Sequence, residues 1–345
     1  MPPRASRTAR LMATAVAILG AGSWGTALAV HLGRLGHDVR LWARDRSFAD
    51  EMASRRANAV YLPDVIFPAP VSVTASIDRA VEGAALVICA VPSHGARAVI
   101  RLAAPHMLER AIVVSAAKGL EADTHLRVSE MIAQEVPGHP VVVLSGPSFA
   151  HEVAQQLPTA VLAASTDSEA TAIVQAEFRG PTFRLYGSDD VIGVEIGGAL
   201  KNVIAIAAGV VEGLGLGHNA LAALITRGLA EITRLACAAG GRRDTLAGLS
   251  GLGDLVLTCT GSLSRNRHVG IELARGRSLK EVLASMKMIA EGVRTTGAAL
   301  ALGERYGVEL PITTQMAEVL SGRSDVKAAI SALMLRKQRS ESEAN

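Results

Sequence analysis

The feature that most constrains the fold is the alternation of short apolar runs with helical stretches in the first half of the chain. Leu86–Val91 and Val141–Leu144 are apolar at every position, which is typical of strands buried on both faces of a largely parallel sheet. Strands that alternate with helices predict a doubly wound α/β sheet. The predicted strands are Thr14–Leu19, Val39–Trp42, Val71–Thr74, Leu86–Val91, Ile112–Ala116, Val141–Leu144, Ala160–Ala164 and Thr182–Tyr186. The predicted helices between them are Ser23–Leu35, Ser93–Ala104, His125–Glu135 and Ser168–Phe178.

From Asp189 onward the pattern is helical almost throughout. The turn and N-cap residues at positions 187–190 mark the boundary. We therefore predict an N-terminal Rossmann-type domain over residues 12–188 and a C-terminal all-helical domain over residues 189–336. We expect residues 1–11 to form a disordered extension and residues 337–345 a polar tail. The predicted helices of the second domain are Val191–Val211, Leu221–Ala239, Asp254–Thr260, His268–Ala274, Leu279–Met286, Thr295–Tyr306 and Pro311–Leu320.

Charge and composition exclude several partners. The 345 residues include 35 Lys and Arg against 32 Asp and Glu, a formal charge of +3, which is too small to favour nucleic acid or an anionic membrane. Aromatic residues make up only 3% of the chain, which argues against base-stacking platforms. The longest apolar run, Val203–Val211, is far shorter than the roughly 18–20 residues that span a bilayer. We therefore expect no nucleic-acid partner and no integral membrane segment.

The three cysteines, Cys89, Cys237 and Cys259, are widely spaced. Their odd number and spacing favour neither a disulfide framework nor a zinc site, so we expect no metal and a reducing, cytoplasmic compartment. The apolar run that follows Arg4, Arg7 and Arg10 superficially resembles a secretory signal. That run leads directly into a glycine motif, and cleavage after it would destroy a structural element.

The glycine motif is Gly20-Ala21-Gly22-Ser23-Trp24-Gly25, which has the spacing G-x-G-x-x-G. A predicted strand enters it, a predicted helix leaves it, and a second strand ends about twenty residues later, as in dinucleotide-binding units. Gly20 allows the tight turn, Gly22 lets a pyrophosphate approach the backbone, and Gly25 allows close helix–sheet packing. The alternative is a glycine-rich turn that binds no ligand.

The second strand ends at Trp42-Ala43-Arg44-Asp45. An acidic residue at this tip binds the ribose 2′-hydroxyl of NAD, whereas an arginine pairs with the 2′-phosphate of NADP. Because Arg44 comes first, the sequence favours NADP(H), and NAD(H) stays open. Arg44 could also be an ordinary surface arginine.

Polar residues follow two predicted buried strands, at the carboxyl edge where α/β sheets bind ligands. Lys118 follows one strand and could face a ligand, although an exposed loop lysine is the commoner case. Gly146 and Ser148 follow the next strand and could line a pocket, with Ser148 alternatively serving only as a helix N-cap.

Lys201 and Asn202 lie in an apolar helical stretch that also contains two glycines, Gly197 and Gly198. Glycines inside a helix cost about 1 kcal/mol each, which is understandable if a cofactor or a neighbouring helix must come close. Burial lowers the pKa of a lysine toward the range in which it can donate a proton to a forming alkoxide. The alternative is a surface lysine whose ammonium reaches solvent.

A third group comprises Asp254 and the run Ser264-Arg265-Asn266. A hydroxyl, a guanidinium, an amide and the free N–H groups of a helix start suit a phosphate. Asp254 could orient a lysine. Both Asp254 and Ser264 could instead be N-caps.

At these residues the chain closely resembles bacterial-type NAD(P)-dependent glycerol-3-phosphate dehydrogenase, from about Thr14 to about Leu335. The ordered motifs are Gly-Ala-Gly-Ser-Trp-Gly-Thr (20–26), Val-Pro-Ser-His (91–94), Ala-Lys-Gly-Leu (117–120), Ser-Gly-Pro-Ser-Phe-Ala (145–150), Gly-Ala-Leu-Lys-Asn-Val (198–203), Gly-Leu-Gly-Asp-Leu (251–255), Ser-Arg-Asn-Arg (264–267) and Glu-Gly-Val-Arg-Thr (291–295). The resemblance implies a site between the two domains. It also implies reversible reduction of dihydroxyacetone phosphate to sn-glycerol 3-phosphate, which feeds phospholipid synthesis.

The resemblance also implies roles for individual residues. Lys201 matches the family's proton donor and acceptor. The matching substrate contacts are Lys118, Gly146, Ser148, Asp254, Ser264, Arg265 and Asn266, and we add Asn202. The matching cofactor contacts are Ser23, Trp24, Arg44, Tyr61, Lys118, Ala150, Arg265, Ile289 and Glu291. One departure stands near Tyr61, because Asp64 occupies a position where the family often has glycine.

Two alternatives stay open at this point. A related β-hydroxyacid or 2-ketoacid reductase would share the two-domain plan and use the Ser264–Arg267 cluster for a carboxylate. A non-catalytic nucleotide sensor would bind cofactor without turnover. The hydrophobic helices of the second domain could pack between subunits, which is compatible with a homodimer.

Overall fold

The computed structural model describes residues 14–286, 288 and 290–337 of the 345-residue chain. Its strands are β1 (Ala15–Leu19), β2 (Asp38–Trp42), β3 (Ala57–Asn58), β4 (Leu62–Ile66), β5 (Val71–Thr74), β6 (Leu86–Cys89), β7 (Ile112–Ser115), β8 (Val141–Ser145), β9 (Thr159–Ala164) and β10 (Phe183–Ser188). The helices that accompany the strands are α1 (Ser23–Arg34), α2 (Arg46–Arg55), α3 (Ile77–Val81), α4 (Ser93–Ala103), α5 (Val128–Glu135), α6 (Ala150–Ala154) and α7 (Ser168–Phe178). The helices that follow are α8 (Val191–Gly213), α9 (Gly217–Ala238), α10 (Arg243–Ala247), α11 (Asp254–Thr260), α12 (Arg265–Ala274), α13 (Leu279–Ser285), α14 (Glu291–Tyr306), α15 (Pro311–Leu320) and α16 (Val326–Met334).

Eight strands form one sheet in the order β10-β9-β8-β7-β6-β1-β2-β5. From β5 to β8 neighbouring strands are parallel, with β1 next to β6 and β2. β9 pairs antiparallel with β8, and β10 is parallel to β9, so the last two strands run in the opposite direction. The predicted class, a doubly wound α/β sheet followed by a helical region, is confirmed.

All eight predicted strands are present, with ends displaced by a few residues. The sequence reading missed the β3–β4 hairpin and several short helices, and it placed the start of α5 too early. His125 has a left-handed φ of 59°, and Leu120 forms an antiparallel bridge with Arg127, so the chain is still a loop where helix was predicted. The helix predicted from His268 begins earlier, at Arg265, because Ser264 caps it there.

Alternate residues of each central strand face opposite sides of the sheet. In β1, Val16 and Ile18 belong to one hydrophobic cluster, while Ala17 and Leu19 belong to another. A third cluster surrounds α8, which is buried along nearly its whole length. The molecule thus has a layered sheet region and a helical region built around one central helix.

Among the described residues, α8 alone is long and apolar enough to suit a bilayer span, and 89% of its most apolar window is buried inside the protein. The residue pattern predicts this helix as Val191–Val211, but the polar residues Glu195, Lys201 and Asn202 interrupt its apolar run and keep it below the length of a bilayer span when only unbroken runs are counted. A buried core helix explains its hydropathy without a membrane.

α8 and α12 cross at two facing glycines. A Cβ at Gly270 would lie 1.9 Å from the carbonyl oxygen of Ile206, and a Cβ at Gly209 would lie 1.9 Å from that of Arg267. The backbones are therefore in direct contact, and side chains larger than hydrogen would push the helices apart. This crossing places the first turn of α12 beside α8.

The contact predicts a stability effect. Gly270→Ala should lower the free energy of unfolding by about 1–3 kcal/mol, because the new methyl group overpacks the crossing. Gly297→Ala is the matched control, since that glycine lies in α14 with nothing within 4 Å of its Cβ position. There alanine should stabilise the helix by about 0.5–1 kcal/mol. Urea denaturation measures both, and equal stability of the two variants would contradict the tight crossing.

Candidate active site

The glycine turn between β1 and α1 is shaped for close backbone approach. Gly20 has a φ of +117°, and a Cβ there would lie 2.9 Å from the carbonyl oxygen of Ala90. A Cβ at Gly25 would lie 1.9 Å from the carbonyl oxygen of Gly20. At Gly22 the space is open, with nothing within 4 Å, and no side chain caps the start of α1. Free N–H groups facing an open space fit the pyrophosphate of a dinucleotide.

At the end of β2 the two candidate ribose-binding residues have different environments. Asp45 caps α2, accepting hydrogen bonds from the backbone N–H of Phe48 at 2.7 Å and the hydroxyl of Ser47 at 2.6 Å. Arg44 is exposed beyond the strand. The acidic side chain is therefore engaged within its own turn, and the cationic one is available, which fits a 2′-phosphate better than a 2′-hydroxyl.

Tyr61 is tied to the glycine turn through a residue that sequence reasoning missed. The Asn58 side-chain amide donates to the carbonyl oxygen of Ala21 at 2.9 Å and to Thr26 Oγ1 at 2.8 Å, and its oxygen accepts from the N–H of Tyr61 at 3.0 Å. Asn58 is fully buried, and no motif pointed to it. Asp64 has a φ of +66°, a conformation that glycine adopts freely and that aspartate tolerates better than most residues.

Two lysines share one carboxylate at the centre of the candidate site. Lys201 Nζ donates to Asp254 Oδ1 at 2.6 Å and to Thr258 Oγ1 at 2.8 Å. Lys118 Nζ donates to Asp254 Oδ2 at 2.7 Å and to the carbonyl oxygen of Gly146 at 2.9 Å. Asp254 is the first residue of α11 and points at the lysines, so its interpretation as an N-cap is wrong. Thr258, one turn later on α11, is a member that sequence reasoning missed.

The environment of Lys201 sets its acidity. Its side chain is buried, so it does not reach solvent in the way the surface alternative requires. The pKa of Lys201 is lowered to about 8. Burial is the main cause, the Lys118 cation also lowers the pKa, and the Asp254 carboxylate opposes both effects. Of the two cations in the predicted substrate site, Lys118 and Arg265, only Lys118 is among the main causes of the shift.

The segment after β8 contributes backbone. Gly146 has a φ of +134°, and a Cβ there would lie 3.1 Å from Cα of Val161. Ser148 donates its hydroxyl hydrogen to the carbonyl oxygen of Gly146 at 2.9 Å. Phe149, not Ser148, occupies the N-cap position of α6, so the interpretation of Ser148 as an N-cap is wrong. Ala150 is the first residue of α6, and Ser23 and Trp24 are the first two residues of α1.

Asn202 and Asn266 connect three helices. The Asn266 amide donates to Asn202 Oδ1 at 2.9 Å, and Asn266 Oδ1 accepts from the N–H of Gly292 at 2.9 Å. A Cβ at Gly292 would lie 2.5 Å from the carbonyl oxygen of Asn202, so α14 begins directly against α8. Both asparagines are buried and hydrogen-bonded, which fixes their orientation.

Ser264 and Arg265 differ in how far they are engaged. Ser264 caps α12 by accepting from the N–H of Arg267 at 3.2 Å, so its interpretation as an N-cap is confirmed. Arg265 has neither an ion-pair nor a hydrogen-bond partner within the described part of the chain; burial lowers the pKa of its guanidinium, and the Glu291 carboxylate opposes that shift. An uncommitted guanidinium at a helix start is suited to an anionic ligand.

Glu291 joins the two halves of the molecule at the start of α14. Its carboxylate accepts from the hydroxyl of Ser93 at 2.8 Å and from the N–H of Ser93 at 3.2 Å. Its Oε2 also lies 3.1 Å from the Cβ position of Gly119, the neighbour of Lys118. Ile289, the other predicted cofactor contact here, lies outside the described residues.

The structure thus brings Lys118, Gly146, Lys201 and Asp254 into one hydrogen-bonded cluster. Asn202 directly follows Lys201 on α8, and Asn266 of α12 is hydrogen-bonded to it. Cys89 and Cys259 are buried free thiols, and Cys237 is partly buried. Across residues 14–286, 288 and 290–337, no three His, Cys, Asp or Glu side chains are grouped so as to hold a metal ion.

Comparisons with known proteins agree with this arrangement. The family model described as "NAD-dependent glycerol-3-phosphate dehydrogenase N-terminus" matches residues 15–171, and the model for the C-terminus of the same family matches residues 190–331. A glycerol-3-phosphate dehydrogenase [NAD(P)+] of Koribacter versatilis is 52% identical over 326 residues, 93% of this chain and 97% of its own length. One of Citrifermentans bemidjiense is 48% identical, covering 96% of this chain and 99% of its own length.

The fold comparison gives the same result. The crystal structure of glycerol-3-phosphate dehydrogenase from Coxiella burnetii superposes with a TM-score of 0.91 at 41% identity, covering 94% of this chain and 99% of that one. A ketopantoate reductase from Ralstonia eutropha, at 17% identity and a TM-score of 0.60, shares the fold alone. The chain therefore belongs to the NAD-dependent glycerol-3-phosphate dehydrogenase family.

Proposed function

We propose that this chain catalyses the reversible reduction of dihydroxyacetone phosphate to sn-glycerol 3-phosphate with NADPH or NADH. The observation that carries the proposal is the buried Lys201, held by Asp254 and Thr258 and with a pKa of about 8. A group with such a pKa can give and take a proton near neutral pH, as a carbonyl–alcohol interconversion requires. The relatives named above carry this activity in their names.

We assign the substrate to the cluster around α8. Lys201 is the proton donor and acceptor, and Lys118, Gly146, Ser148 and Asn202 surround the reacting part. We assign the substrate phosphate to the start of α12. Three further proposed substrate contacts lie there: Ser264, Arg265 and Asn266. Arg265 supports this placement because its guanidinium, partly desolvated, has no hydrogen-bond or ion-pair partner among the described residues.

We assign the cofactor to the carboxyl edge of the sheet. The open glycine turn fits a pyrophosphate, and a bound nicotinamide would supply or accept a hydride at the substrate's carbinol carbon. The residues proposed to hold it are Gly20, Gly22, Ser23, Trp24, Gly25, Arg44, Tyr61, Lys118, Ala150, Arg265, Ile289 and Glu291.

The chain's own residues then perform the proton chemistry. As negative charge grows on the carbonyl oxygen, the Lys201 ammonium donates a proton to it, and in the reverse direction neutral Lys201 accepts one. Asp254 holds both lysines in place and balances their charge. Lys118 polarises the carbonyl, and the water-excluding surroundings of α8 strengthen each of these electrostatic interactions.

Opposite pH dependences are expected for the two directions. The reduction needs protonated Lys201, so its kcat/KM should fall as pH rises above about 8. The oxidation needs neutral Lys201, so its kcat/KM should rise through the same range. Steady-state rates between about pH 6 and pH 10 in both directions measure this. Parallel profiles in the two directions would contradict the role of Lys201.

The cofactor preference should depend on Arg44. Arg44→Ala is expected to lower kcat/KM for NADPH by about 10- to 100-fold, since it removes a charge-assisted hydrogen bond to the 2′-phosphate. The value for NADH should change little. Arg46→Ala, at the start of α2, is the matched control for loss of a neighbouring exposed cation. Equal losses with both cofactors would place Arg44 outside the 2′-phosphate site.

The first test of the function is the loss of reduced-nicotinamide absorbance with dihydroxyacetone phosphate. NADPH and NADH are compared, and a 2-ketoacid serves as the competing substrate. Turnover of the phosphate substrate alone supports the proposal. Turnover of the ketoacid alone would move the chain to the reductases that share this fold, with Arg265 binding a carboxylate. Cofactor binding without any turnover would indicate a nucleotide sensor.

We further propose that residues 12–188 and 189–336 act as a dinucleotide-binding and a substrate domain. The proposed setting is the cytoplasm, with the product supplied to glycerophospholipid synthesis. A homodimer through the helical region is compatible with the exposed apolar side chains Leu216, Leu252 and Val256. Analytical ultracentrifugation tests the last point.

A further inference from the structure

Glu195 is a buried carboxylate that the proposed chemistry does not use. It lies on α8, six residues before Lys201, and its side chain is almost fully buried. One oxygen accepts from the N–H of Ser129 at 2.9 Å. The other accepts from the Ser129 hydroxyl at 2.5 Å and from Arg127 Nη1 at 2.8 Å. A buried charge with three donors is held in one orientation.

The donors to Glu195 stand at the end of the loop that begins with Lys118. This loop leaves β7, passes Lys118 and Gly119, and enters α5 at Val128. It is closed on itself, because Leu120 forms a bridge with Arg127 and the N–H of Glu121 donates to the carbonyl oxygen of Leu126 at 3.0 Å. Whatever holds Arg127 therefore also holds Leu120, two residues from Lys118.

The outer side of the same loop is also fixed. Arg97 on α4 donates to both oxygens of Glu121 at 2.7 Å and to Glu135 on α5 at 2.7 Å. These bonds attach the loop to the sheet domain. On the inner side, the contacts from Arg127 and Ser129 to Glu195 attach it to α8 itself.

These contacts close a ring. Lys118 reaches Asp254, Asp254 reaches Lys201, α8 leads from Lys201 back to Glu195, and Glu195 returns through Arg127 to the Lys118 loop. We propose that Glu195 is a positioning residue that fixes Lys118 relative to Lys201, so that both ammonium groups meet the same substrate oxygen. This inference rests on the proposed function, because the relative position of Lys118 and Lys201 matters for the rate only if both lysines act on the substrate.

A charged contact suits this task better than an apolar one. Apolar packing alone could hold α5 against α8 with a similar free energy, but it would restrict the sliding and rotation of the two helices less. A carboxylate that meets a backbone N–H, a hydroxyl and a guanidinium at once defines a single register. Burial raises the pKa of the Glu195 carboxyl, and Arg127 and Ser129 oppose that rise.

The decisive variant keeps the charge and shortens the reach. Glu195→Asp withdraws the carboxylate by one methylene, about 1.5 Å, so the loop must shift or lose its bonds. A misplacement of about 1 Å can cost up to about 100-fold in rate, and we expect kcat/KM for dihydroxyacetone phosphate to fall by about 10- to 100-fold. Glu231→Asp is the matched control.

Glu231 is an equally buried glutamate of the helical region that lies outside the ring. It accepts from the N–H groups of Ile312 and Thr313 and from the Thr313 hydroxyl, at the start of α15. Shortening the Glu231 side chain should lower the free energy of unfolding without changing the relative positions of Lys118 and Lys201. A comparable loss of melting temperature with near-normal kcat/KM is therefore expected for Glu231→Asp.

The pH profile separates positioning from general destabilisation. Asp254 raises the pKa of Lys201 and Lys118 lowers it, while Thr258 is neutral and the buried Cys259 thiol, with a pKa of about 12, stays protonated. If Lys118 moves away, the pKa of Lys201 rises, and the alkaline limb of the reduction profile should move to higher pH. Glu195→Asp keeps its charge, so no direct charge effect competes.

Ser129→Ala provides a second, milder test if the aspartate variant does not fold. It removes one hydroxyl donor and changes no charge. It should lower kcat/KM and move the alkaline limb to higher pH, as Glu195→Asp does, but by smaller amounts. The inference is overturned if these variants lose no more kcat/KM than Glu231→Asp, or if the alkaline limb stays in place. Absence of turnover by the unaltered enzyme would instead overturn the proposed function, and this inference with it.

Discussion

Replacing Lys201 by methionine is expected to lower kcat for reduction of dihydroxyacetone phosphate by about 10²–10⁴-fold, the usual contribution of a positioned general acid. Methionine is similar in length and apolar, so it suits the buried position on α8. Asp254 keeps Lys118 as its partner, so no unpaired carboxylate is left behind. The variant should therefore fold while losing the proton donor.

The measurement is kcat at saturating substrate and cofactor, with circular dichroism and cofactor affinity as controls for folding. Lys280→Met, at an exposed position on α13, is the matched variant and should leave kcat unchanged. A Lys201→Met enzyme that retained most of its turnover would mean that another group, or water, supplies the proton.

The second large effect is expected for Asp254→Asn. The change leaves two ammonium groups around a neutral amide at a buried position, and breaking a buried pair of this kind costs about 3–5 kcal/mol. With the carboxylate gone, the pKa of Lys201 should fall further, because Asp254 is the group that raises it most. The alkaline limb of the reduction profile should then move to lower pH.

The stability deficit of Asp254→Asn should itself depend on pH. The folded-state pKa of Lys201 lies below its unfolded value, so the unfolded chain binds more protons and stability rises with pH. The same holds in the variant, but the pKa of its Lys201 lies lower still, so its stability starts to rise at lower pH than that of the unaltered protein. The deficit should therefore shrink as pH rises toward about 8 and stay constant above it. Urea denaturation at several pH values measures it. Asp325→Asn, an exposed N-cap of α16 that asparagine replaces well, is the control. A deficit that does not change with pH would show that Lys201 stays charged in the variant.

Sequence reasoning found the parts of the site that local pattern determines. The glycine turn is recognisable because a strand, a helix and three glycines must occur in fixed order there. Lys201 is recognisable because a charged side chain interrupts an apolar helix. Thr258 and Asn58 could not be found in this way, because threonine in a helix and asparagine at the end of a short strand are common and only the folded contacts distinguish them.

The direction of strands β9 and β10 also could not be predicted from the residue pattern. The residue pattern predicted β9 and β10, but the pattern of a strand is the same whichever way the strand runs. The antiparallel pairing of β8 with β9 depends on α6 and the short connection around it, which the sequence reading did not identify. Short helices such as α6 carry too few apolar repeats to be recognised.

The reversed direction of β9 and β10 determines how long the first part of α8 must be. Because these strands run backward, β10 delivers the chain to the amino edge of the main sheet, where the Ser165 hydroxyl bonds the carbonyl oxygen at the start of β8. Lys201 must nevertheless act at the carboxyl edge, beside Gly146. The ten residue steps from Val191 to Lys201 rise about 15 Å as a helix, close to the roughly 16 Å length of a five-residue strand. An insertion of one residue in that interval would turn Lys201 by about 100° away from Asp254. The spacing between β10 and Lys201 is therefore a geometric requirement of the fold, and insertions should be tolerated in the loops of this enzyme but not there.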